Sequence, residues 1–262
     1  MEIIVCVKQV PGTGEVEVDP VSGVLKRDGV AAKMNPYDLF AMEAALSLAG
    51  RYGGSVKTLT MGPPQAADVL FETLYMGAAQ GTLLSDCKFA GADVAATSYT
   101  LACGIESMGR YDLILCGKQT TDGDTAQVGP ELAARLGIEH ASNVLSVVEA
   151  EGGFITVVVD LDDKRQTQRM KLPCLLCMEK DMNTPRLPSY KRKCAVQPGQ
   201  IRTLPAVALS TLKESRCGLK GSPTQVERIF PPEKNTDKTL LAGTPGELAD
   251  ALYQALAARK LL

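Results

Sequence analysis

The sequence predicts an α/β protein built on a doubly wound parallel sheet, with an added antiparallel strand region and an extended C-terminal arm. Three observations support this fold class. Continuous apolar runs such as EIIVCVKQV and YDLILCG are typical of strands buried on both faces. Segments with apolar residues at helical spacing separate these runs. After Gly137 the helical segments give way to alternating strands, and then to a polar, proline-rich tail.

The first half of the chain alternates regularly between strand and helix. EIIVCVKQV is the first predicted strand, and VEVDPVSGVLKR predicts a small hairpin. The next helix is predicted to begin at Pro36, with Asn35 as its N-cap, and to end at Gly53 and Gly54.

The same alternation continues to Gly137. SVKTLTMGPP, QGTLLSD and YDLILCG are predicted strands, and helices are predicted over residues 65–76 and 93–109. A polar run follows the last of these strands and leads into an amphipathic helix. Strands that alternate with helices in this way favour a parallel sheet.

The pattern changes after Gly137. The stretch SNVLSVVEAEGGFITVVVDLDDKRQTQRMKLPCLLCM contains alternating strands with turns at 151–153 and 162–164, which predicts an antiparallel addition to the sheet. Cys174 and Cys177 have the spacing of a metal-ligand pair, but strand residues three apart point to opposite faces. We therefore expect free buried thiols and no metal site, with a structural or redox role for the pair as the alternative.

The chain divides into three parts on composition. Residues 1–182 form the α/β domain with its antiparallel extension. Residues 183–205, rich in proline and basic side chains, are predicted to be an exposed loop and linker. Residues 206–262 are predicted to form an arm with one helix at 245–259, and such a tail is suited to wrapping a partner.

The composition excludes several classes of function. The chain of 262 residues has a net charge of −2 and no basic stripe, so no nucleic-acid partner is expected. No apolar run is long enough to span a bilayer, and the start lacks the features of a signal peptide, which predicts a cytoplasmic or similarly reducing location. His140 is the only histidine, so catalysis by a bound cofactor is favoured over catalysis by side chains.

Small and polar residues follow three predicted strands, in CVKQV, TMGPP and CGKQTTDGDTAQVGP. Ligands of open α/β sheets bind beyond the carboxyl ends of the strands, and helix starts there bind anions. Gly117 and Gly123 are expected to permit close backbone approach, and Thr125 and Gln127 to bond a phosphate or ribose. A turn with a helix N-cap is the alternative. Neither a phosphate-binding GxxxxGK[ST] loop nor GxGxxG is present, so a nucleotide would bind by another mode.

Six segments together resemble the β subunit of electron transfer flavoproteins. They are VCVKQVP, MNPYDLFAMEAAL, MGPPQA, LILCGKQTTDGDTAQVGPELA, KLPCLLC and NTPRLPS, in order over nearly the whole chain. The resemblance implies a fold of the adenine-nucleotide-binding type. It also implies an α-subunit partner that holds its own FAD.

The resemblance also implies two sets of functional residues, none of them catalytic or metal-binding. The implied nucleotide pocket contains Cys6, Asn35, Pro36, Tyr37, Asp38, Met61, Gly117, Lys118, Gln119, Thr120, Thr121, Asp122, Gly123, Asp124, Thr125, Ala126, Gln127 and Val128. The implied docking loop for an acyl-CoA dehydrogenase-type partner contains Asn183, Pro185, Arg186, Leu187, Lys191, Arg192 and Lys193. The alternative for the second set is a solvated basic linker.

Within the implied pocket, three roles are expected. The backbone amides of residues 124–127 hold the phosphates. Asn35 and Asp38 position the adenosine or flavin, while Lys118 and Asp122 lie near the ring.

Two branches of the family differ in what this pocket holds. TTDGDTAQVGPELA and NPYDLFAMEAAL are similar to the electron-bifurcating branch, in which FAD accepts hydride from NADH. Electrons then divide between ferredoxin or flavodoxin and the FAD of the α subunit. Small residues at the strand end are expected to leave space for the flavin ring. The alternative is the respiratory branch with structural AMP.

A third possibility is an ATP-consuming enzyme of the same fold. Such an enzyme needs an SGGxD pattern or an HxGH pair after the first strand, and KQVPGTGEV supplies neither.

Overall fold

The computed structural model describes residues 1–12, 32–227 and 238–261, so the hairpin predicted in VEVDPVSGVLKR lies outside the described residues. The chain divides into two compact units, Met1–Glu227 and Arg228–Leu262.

The first unit contains the sheet and most of the helices. Its strands are β1 (Glu2–Cys6), β2 (Gln9–Pro11), β3 (Ala32–Met34), β4 (Ser55–Met61), β5 (Gln80–Leu84), β6 (Leu113–Gly117), β7 (Glu139–Glu151), β8 (Phe154–Leu161), β9 (Lys164–Lys171), β10 (Cys174–Met178) and β11 (Ile201–Leu204). Its α-helices are α1 (Pro36–Tyr52), α2 (Ala67–Met76), α3 (Val94–Ser107), α4 (Val128–Leu136) and α5 (Tyr190–Ala195).

Nine strands of the described residues form one sheet in the order β11-β5-β4-β1-β6-β10-β7-β8-β9. Neighbours from β11 to β7 pair in parallel, whereas β8 and β9 pair antiparallel. The predicted doubly wound sheet with an antiparallel extension is therefore confirmed. From β1 the chain proceeds outward to β4 and β5, and then returns to β6 on the other side of β1. The topological switch point consequently lies between β1 and β6.

The sheet separates two apolar layers. Ile3 and Val5 of β1 face the layer that contains α1 and α2, whereas Ile4 faces the layer that contains α3 and α4. This alternation is the period of two expected of a strand. Burial of each such aliphatic side chain stabilises the fold by about 1.5–3 kcal/mol.

The single strand predicted for EIIVCVKQV is divided in two. β1 ends at Cys6, and β2 pairs antiparallel with β3 outside the main sheet. The break follows from the hydrogen bonds of Lys8, whose backbone N–H donates to the carboxylate of Asp38 at 2.7 Å. Its carbonyl accepts from the backbone N–H of Asn35 at 2.9 Å. Both backbone groups of Lys8 are thus engaged by the start of α1.

The last strand of the predicted antiparallel region, CLLCM, is a parallel strand in the middle of the sheet. β10 lies between β6 and β7 and is parallel to both, and all five of its residues are buried. A continuous apolar run of this kind is typical of a strand covered on both faces. Cys174 and Cys177 belong to opposite layers, as predicted, and both are free thiols.

The predicted exposed loop at 183–205 also contains regular structure. α5 occupies Tyr190–Ala195, and β11 pairs in parallel with β5 at the edge of the sheet. The prediction of a loop is wrong for these two elements. β11 has only four residues, which is too short for a periodic pattern to identify it.

The second unit contains α6 (Pro245–Ala258), which confirms the helix predicted near the C terminus. Thr244 and Glu247 form a capping box at its start. None of the residues of α6 is buried, and Leu252 and Tyr253 are more than half exposed. Within the described residues, no helix has both the length and the apolar character needed to cross a membrane.

Candidate functional site

The carboxylate of Asp38 joins three elements at the carboxyl ends of β1 and β6. It accepts hydrogen bonds from the backbone N–H of Lys8 at 2.7 Å, the side-chain amide of Asn35 at 2.9 Å and the backbone N–H of Gly117 at 3.2 Å. Lys8 follows β1, Gly117 ends β6 and Asp38 lies in the first turn of α1. This carboxylate therefore fixes the geometry of the switch point.

Asn35 connects the start of α1 to the loop after β6. Its Nδ2 donates to the carbonyl of Gln119 at 2.9 Å as well as to Asp38, and its Oδ1 accepts from the N–H of Thr121 at 3.3 Å. Asn35 occupies the N-cap position, as predicted, but its side chain makes no capping hydrogen bond. Instead it holds the polar loop against the helix.

Asn35 and Asp38 are turned into the protein. Asn35 is fully buried and Asp38 is 4% exposed. Burial raises the pKa of Asp38 to about 7, although the bonds from Asn35, Lys8 and Gly117 offset part of the effect. Both side chains are bonded to the chain itself, so we expect them to act on a ligand by shaping the loop.

The two glycines singled out in the sequence have different environments. A Cβ atom on Gly117 would lie 2.4 Å from Oδ1 of Asp38 and 2.8 Å from the carbonyl carbon of Tyr37. Glycine at this position therefore allows α1 to approach β6. A Cβ atom on Gly123 would lie 3.4 Å from its nearest neighbour, Oγ1 of Thr120, which is an ordinary van der Waals distance.

The polar loop after β6 spans residues 118–127, and residues 121–127 are exposed. Two of its three charged side chains, Lys118 and Asp122, are in ion pairs. Lys8 Nζ lies 2.7 Å from Asp122, and Lys118 Nζ lies 2.8 Å from Glu179. Partial burial would raise the pKa of Asp122, but the hydrogen bond and charge of Lys8 outweigh it and lower this pKa. The Glu179 carboxylate raises the pKa of Lys118.

The backbone at the end of this loop is unusual. Asp124 and Ala126 have φ angles of 53° and 54°, a region that residues other than glycine seldom occupy. α4 then begins at Val128, and a Cβ on Gly129 would lie 2.3 Å from the Sγ of Cys177. The start of α4 therefore packs directly on β10. The first amides of a helix carry no partner within it and favour an anion.

The structure brings all the predicted pocket segments to one edge of the sheet. Cys6 and Met61 end β1 and β4, and both belong to the layer of α3 and α4. Cys6 is in register with Cys116, and Cys116 is in register with Cys177. Three cysteines therefore lie side by side on the adjacent strands β1, β6 and β10. Burial raises the pKa of Cys177 to about 12, so this thiol stays protonated near neutral pH.

Sequence reasoning missed two residues of this edge. Lys8 supplies both the backbone N–H bonded to Asp38 and the ammonium bonded to Asp122. Glu179 pairs with Lys118 just after β10. The sequence contains a signal for both, because Lys8 is the first charged residue after the apolar run IIVCV and Glu179 directly follows the apolar run CLLCM.

The predicted docking loop is attached to α1 and α2. Arg186 donates from its backbone N–H and its guanidinium to Glu43. Arg192 donates to the carbonyl of Met76, and Lys193 Nζ lies 5.9 Å from the ring centroid of Tyr75.

Two large apolar or aromatic side chains of this loop are highly exposed. Leu187 is 87% exposed and Tyr190 is 79% exposed. Two of the predicted docking cations, Arg186 and Arg192, are hydrogen-bonded to the chain itself, although both residues remain exposed. In the described part of the chain, no group of three or more His, Cys, Asp or Glu side chains is arranged to hold a metal ion.

The fold and the loop at its switch point define a doubly wound α/β protein, the class whose ligands bind beyond the carboxyl ends of the strands. The electron transfer flavoprotein domain family matches residues 22–208 of this chain. The chain belongs to the electron transfer flavoprotein family, and its predicted resemblance to the β subunits is confirmed.

Three relatives show the extent of the similarity. The electron transfer flavoprotein subunit beta of Clostridium acetobutylicum is 43% identical over 87% of both chains. The caffeyl-CoA reductase-Etf complex subunit CarD of Acetobacterium woodii is 41% identical over 100% of both chains. Protein FixA of Azorhizobium caulinodans is 40% identical over 99% of this chain and 95% of the relative.

Proposed function

We propose that this chain is the β subunit of a heterodimeric electron transfer flavoprotein that binds FAD and NADH and takes part in electron bifurcation. The observation that carries the proposal is the exposed loop at residues 121–127, which leads into α4 beside the switch point between β1 and β6. Nucleotides of doubly wound proteins bind at such a point.

The donors at this site fit a diphosphate. Within the described residues, no hydrogen bond inside the chain uses the amides of Thr125, Ala126 or Gln127. Lys8 and Lys118 are already paired with carboxylates. We therefore assign phosphate binding to the backbone amides of residues 125–128 and to the positive end of the α4 dipole. The amide of Asp124, which the sequence also predicted to bind phosphate, donates instead to the carbonyl of Thr120 at 3.0 Å.

The remaining residues of the site hold the loop in place and set the charge around the ligand, and none of them is assigned a catalytic role. A flavin held here supplies hydride acceptance and electron transfer, so the protein needs no general acid or base. Asn35 and Asp38 hold the loop in its binding conformation. Lys118 and Asp122, each in an ion pair, set the electrostatic environment beside the ligand.

The proposed partners follow from the family and from the exposed surfaces. An α subunit with its own FAD takes one electron, and ferredoxin or flavodoxin takes the other. An acyl-CoA dehydrogenase-type protein docks on the loop around Leu187. In support, CarD of Acetobacterium woodii is named as a subunit of a complex with caffeyl-CoA reductase.

One observation favours the alternative, a respiratory-type subunit with structural AMP. The space beside Gly117 is filled by Tyr37 and Asp38. The small size of Gly117 therefore does not create the space for a flavin ring that the sequence predicted at the end of β6. A smaller ligand above the loop would be compatible with that packing.

The decisive experiment is to co-express the chain with its α subunit, denature the purified heterodimer and quantify the released nucleotides by chromatography. Two FAD per heterodimer, with NADH-dependent reduction of ferredoxin in the presence of an enoyl-CoA and a dehydrogenase, are expected. One FAD with one AMP would select the alternative function. A heterodimer without a nucleotide in this subunit would reject both, and ATP turnover would favour the ATP-consuming class.

A further inference from the structure

The carboxylate of Glu43 on α1 binds Arg186, the residue next to Leu187. Oε2 of Glu43 accepts from the backbone N–H of Arg186 at 3.0 Å and from its Nε at 2.7 Å. Oε1 accepts from Nη2 of the same arginine at 2.8 Å. A bidentate arginine–carboxylate pair with an added backbone bond fixes both the side chain and the main chain of Arg186.

The surroundings of Glu43 favour the ionised carboxylate and restrict its motion. It is 9% exposed, and its Oε1 also accepts from the hydroxyl of Ser47 at 3.0 Å. Burial alone would raise the pKa of Glu43, but the bonds from Arg186 outweigh it and lower this pKa below its ordinary value. Three hydrogen bonds from one residue thus converge on an ionised, nearly buried acceptor.

The segment is also anchored on either side of Arg186. Nδ2 of Asn183 donates to the carbonyl of Phe40 on α1 at 3.0 Å. The backbone N–H of Ser189 donates to the carbonyl of Tyr75 on α2 at 2.9 Å. Leu187 lies between these anchors, next to Arg186, and is 87% exposed.

We propose that Glu43 is a positioning residue for docking: by holding Arg186 it presents Leu187 and Tyr190 in one preformed arrangement to an apolar patch on the dehydrogenase partner. This inference rests on the proposed docking function. A segment that is ordered before binding loses less conformational entropy on association, so this ordering should increase the affinity of the heterodimer for the dehydrogenase. Arg186 then acts inward, as the partner of Glu43, and not as a cation that contacts the dehydrogenase.

The test uses the heterodimer with Glu43→Gln, which keeps the shape of the side chain and removes its charge. Arg186→Lys, which keeps the charge and removes the planar fork, is the second variant. Glu2→Gln is the matched control, because Glu2 pairs with Lys57 at 3.7 Å at the amino edge of the sheet. Two quantities are measured: amide hydrogen exchange of residues 183–189, and reduction of the heterodimer by butyryl-CoA dehydrogenase with butyryl-CoA as electron donor.

Faster exchange in residues 183–189 and a rise of about tenfold in KM for the heterodimer are expected for both variants. The kcat should stay within about twofold of the wild type, since the flavins are untouched. Flavin content, NADH oxidation with an artificial acceptor and the Glu2→Gln control should not change.

Three results would overturn the inference: unchanged exchange, faster exchange with an unchanged KM, or a fall in kcat alone. The docking function itself would fail in a different way. In that case the wild-type heterodimer would show no saturable reduction by the dehydrogenase, and the inference would fall with it. If Glu43→Gln does not fold, Arg186→Lys provides both measurements.

Discussion

Asp38 shows how one buried side chain can define a site without facing it. Its three donors come from segments that are far apart in the sequence, after β1, before α1 and at the end of β6. Removing a buried acceptor with three partners destabilises the fold, because each buried donor left without a partner costs about 1–3 kcal/mol of folding free energy. The shape of the loop therefore depends on the state of this carboxyl group.

The raised pKa of Asp38 predicts a pH dependence of stability. The folded chain holds this proton up to about pH 7, whereas the unfolded chain releases it near 3.8. Between these values the folded state binds more protons, so this group's contribution to the free energy of unfolding falls as pH rises. The slope is at most about 1.4 kcal/mol per pH unit.

Urea unfolding of the wild type and of Asp38→Asn, at several pH values from 4 to 8, would measure this contribution. We expect the stability difference between the two proteins to shrink or reverse toward pH 8. Parallel pH profiles would show that Asp38 titrates normally in the folded state.

The two glycines of the site provide a matched pair of substitutions. Gly117→Ala should destabilise the fold by about 1–3 kcal/mol, because its Cβ would overlap Asp38 and the backbone of Tyr37. Gly123→Ala should change stability by less than about 0.5 kcal/mol, since its Cβ meets only an ordinary contact. Thermal unfolding of both variants checks the contrast, and equal effects would contradict the assigned packing.

The sequence predicted which segments form the site better than it predicted what each residue does. The strand-end rule placed residues 6–10, 60–64 and 116–130 together, since the carboxyl ends of parallel strands meet at one edge. Residues 35–38 were added by the family resemblance. The contacts of Asp38 and the space beside Gly117 depend on how closely α1 approaches β6. No pattern in a single chain records that distance.

At the scale of elements, the loop after β6 depends on Asn35 for its conformation. Asn35→Ala removes the bonds to Gln119 and Thr121 and one donor to Asp38. We expect a loss of about 1–3 kcal/mol in stability, faster hydrogen exchange at the Thr121 amide and weaker nucleotide binding. Gln168→Ala is the control, since its amide bonds only Gln166 on exposed β9 within the described residues.

Nucleotide titration of the heterodimer, together with hydrogen exchange, checks this prediction. Equal nucleotide affinity of the Asn35→Ala and Gln168→Ala variants would contradict the prediction, because it would show that the binding conformation of the loop does not depend on Asn35.

Elements with strong periodicity were predicted well, and the two misplaced strands show why others were not. β10 was identified as a buried strand, but its position between β6 and β7 depends on pairing across the sheet. β11 is short and only partly buried, and its pairing with β5 is what makes it a strand. Both errors concern long-range pairing, which a local pattern does not encode.

At the scale of the whole molecule, the two units have different kinds of surface. Met1–Glu227 contains both apolar layers of the sheet, whereas α6 of the second unit has no buried residue. An amphipathic helix with Leu252 and Tyr253 exposed is suited to burial against another chain.

Ending the chain after Glu227 tests this division. The melting temperature of the truncated chain should lie within about 2 °C of that of the full chain, because the core is retained. Its assembly with the α subunit should be lost or weakened by at least tenfold, measured by size-exclusion chromatography and titration. Co-elution of the truncated chain with the α subunit at full affinity would show that assembly uses other surfaces.

The central place of β10 also has a consequence for synthesis. β7, β8 and β9 leave the ribosome before β10, and their hairpin contacts are local. Until residue 178 emerges, β6 and β7 each have one unpaired edge, which only β10 covers. A nascent chain whose last emerged residue lies between 161 and 173 therefore exposes the edges of β6 and β7 that β10 later covers, and such unpaired strand edges promote aggregation.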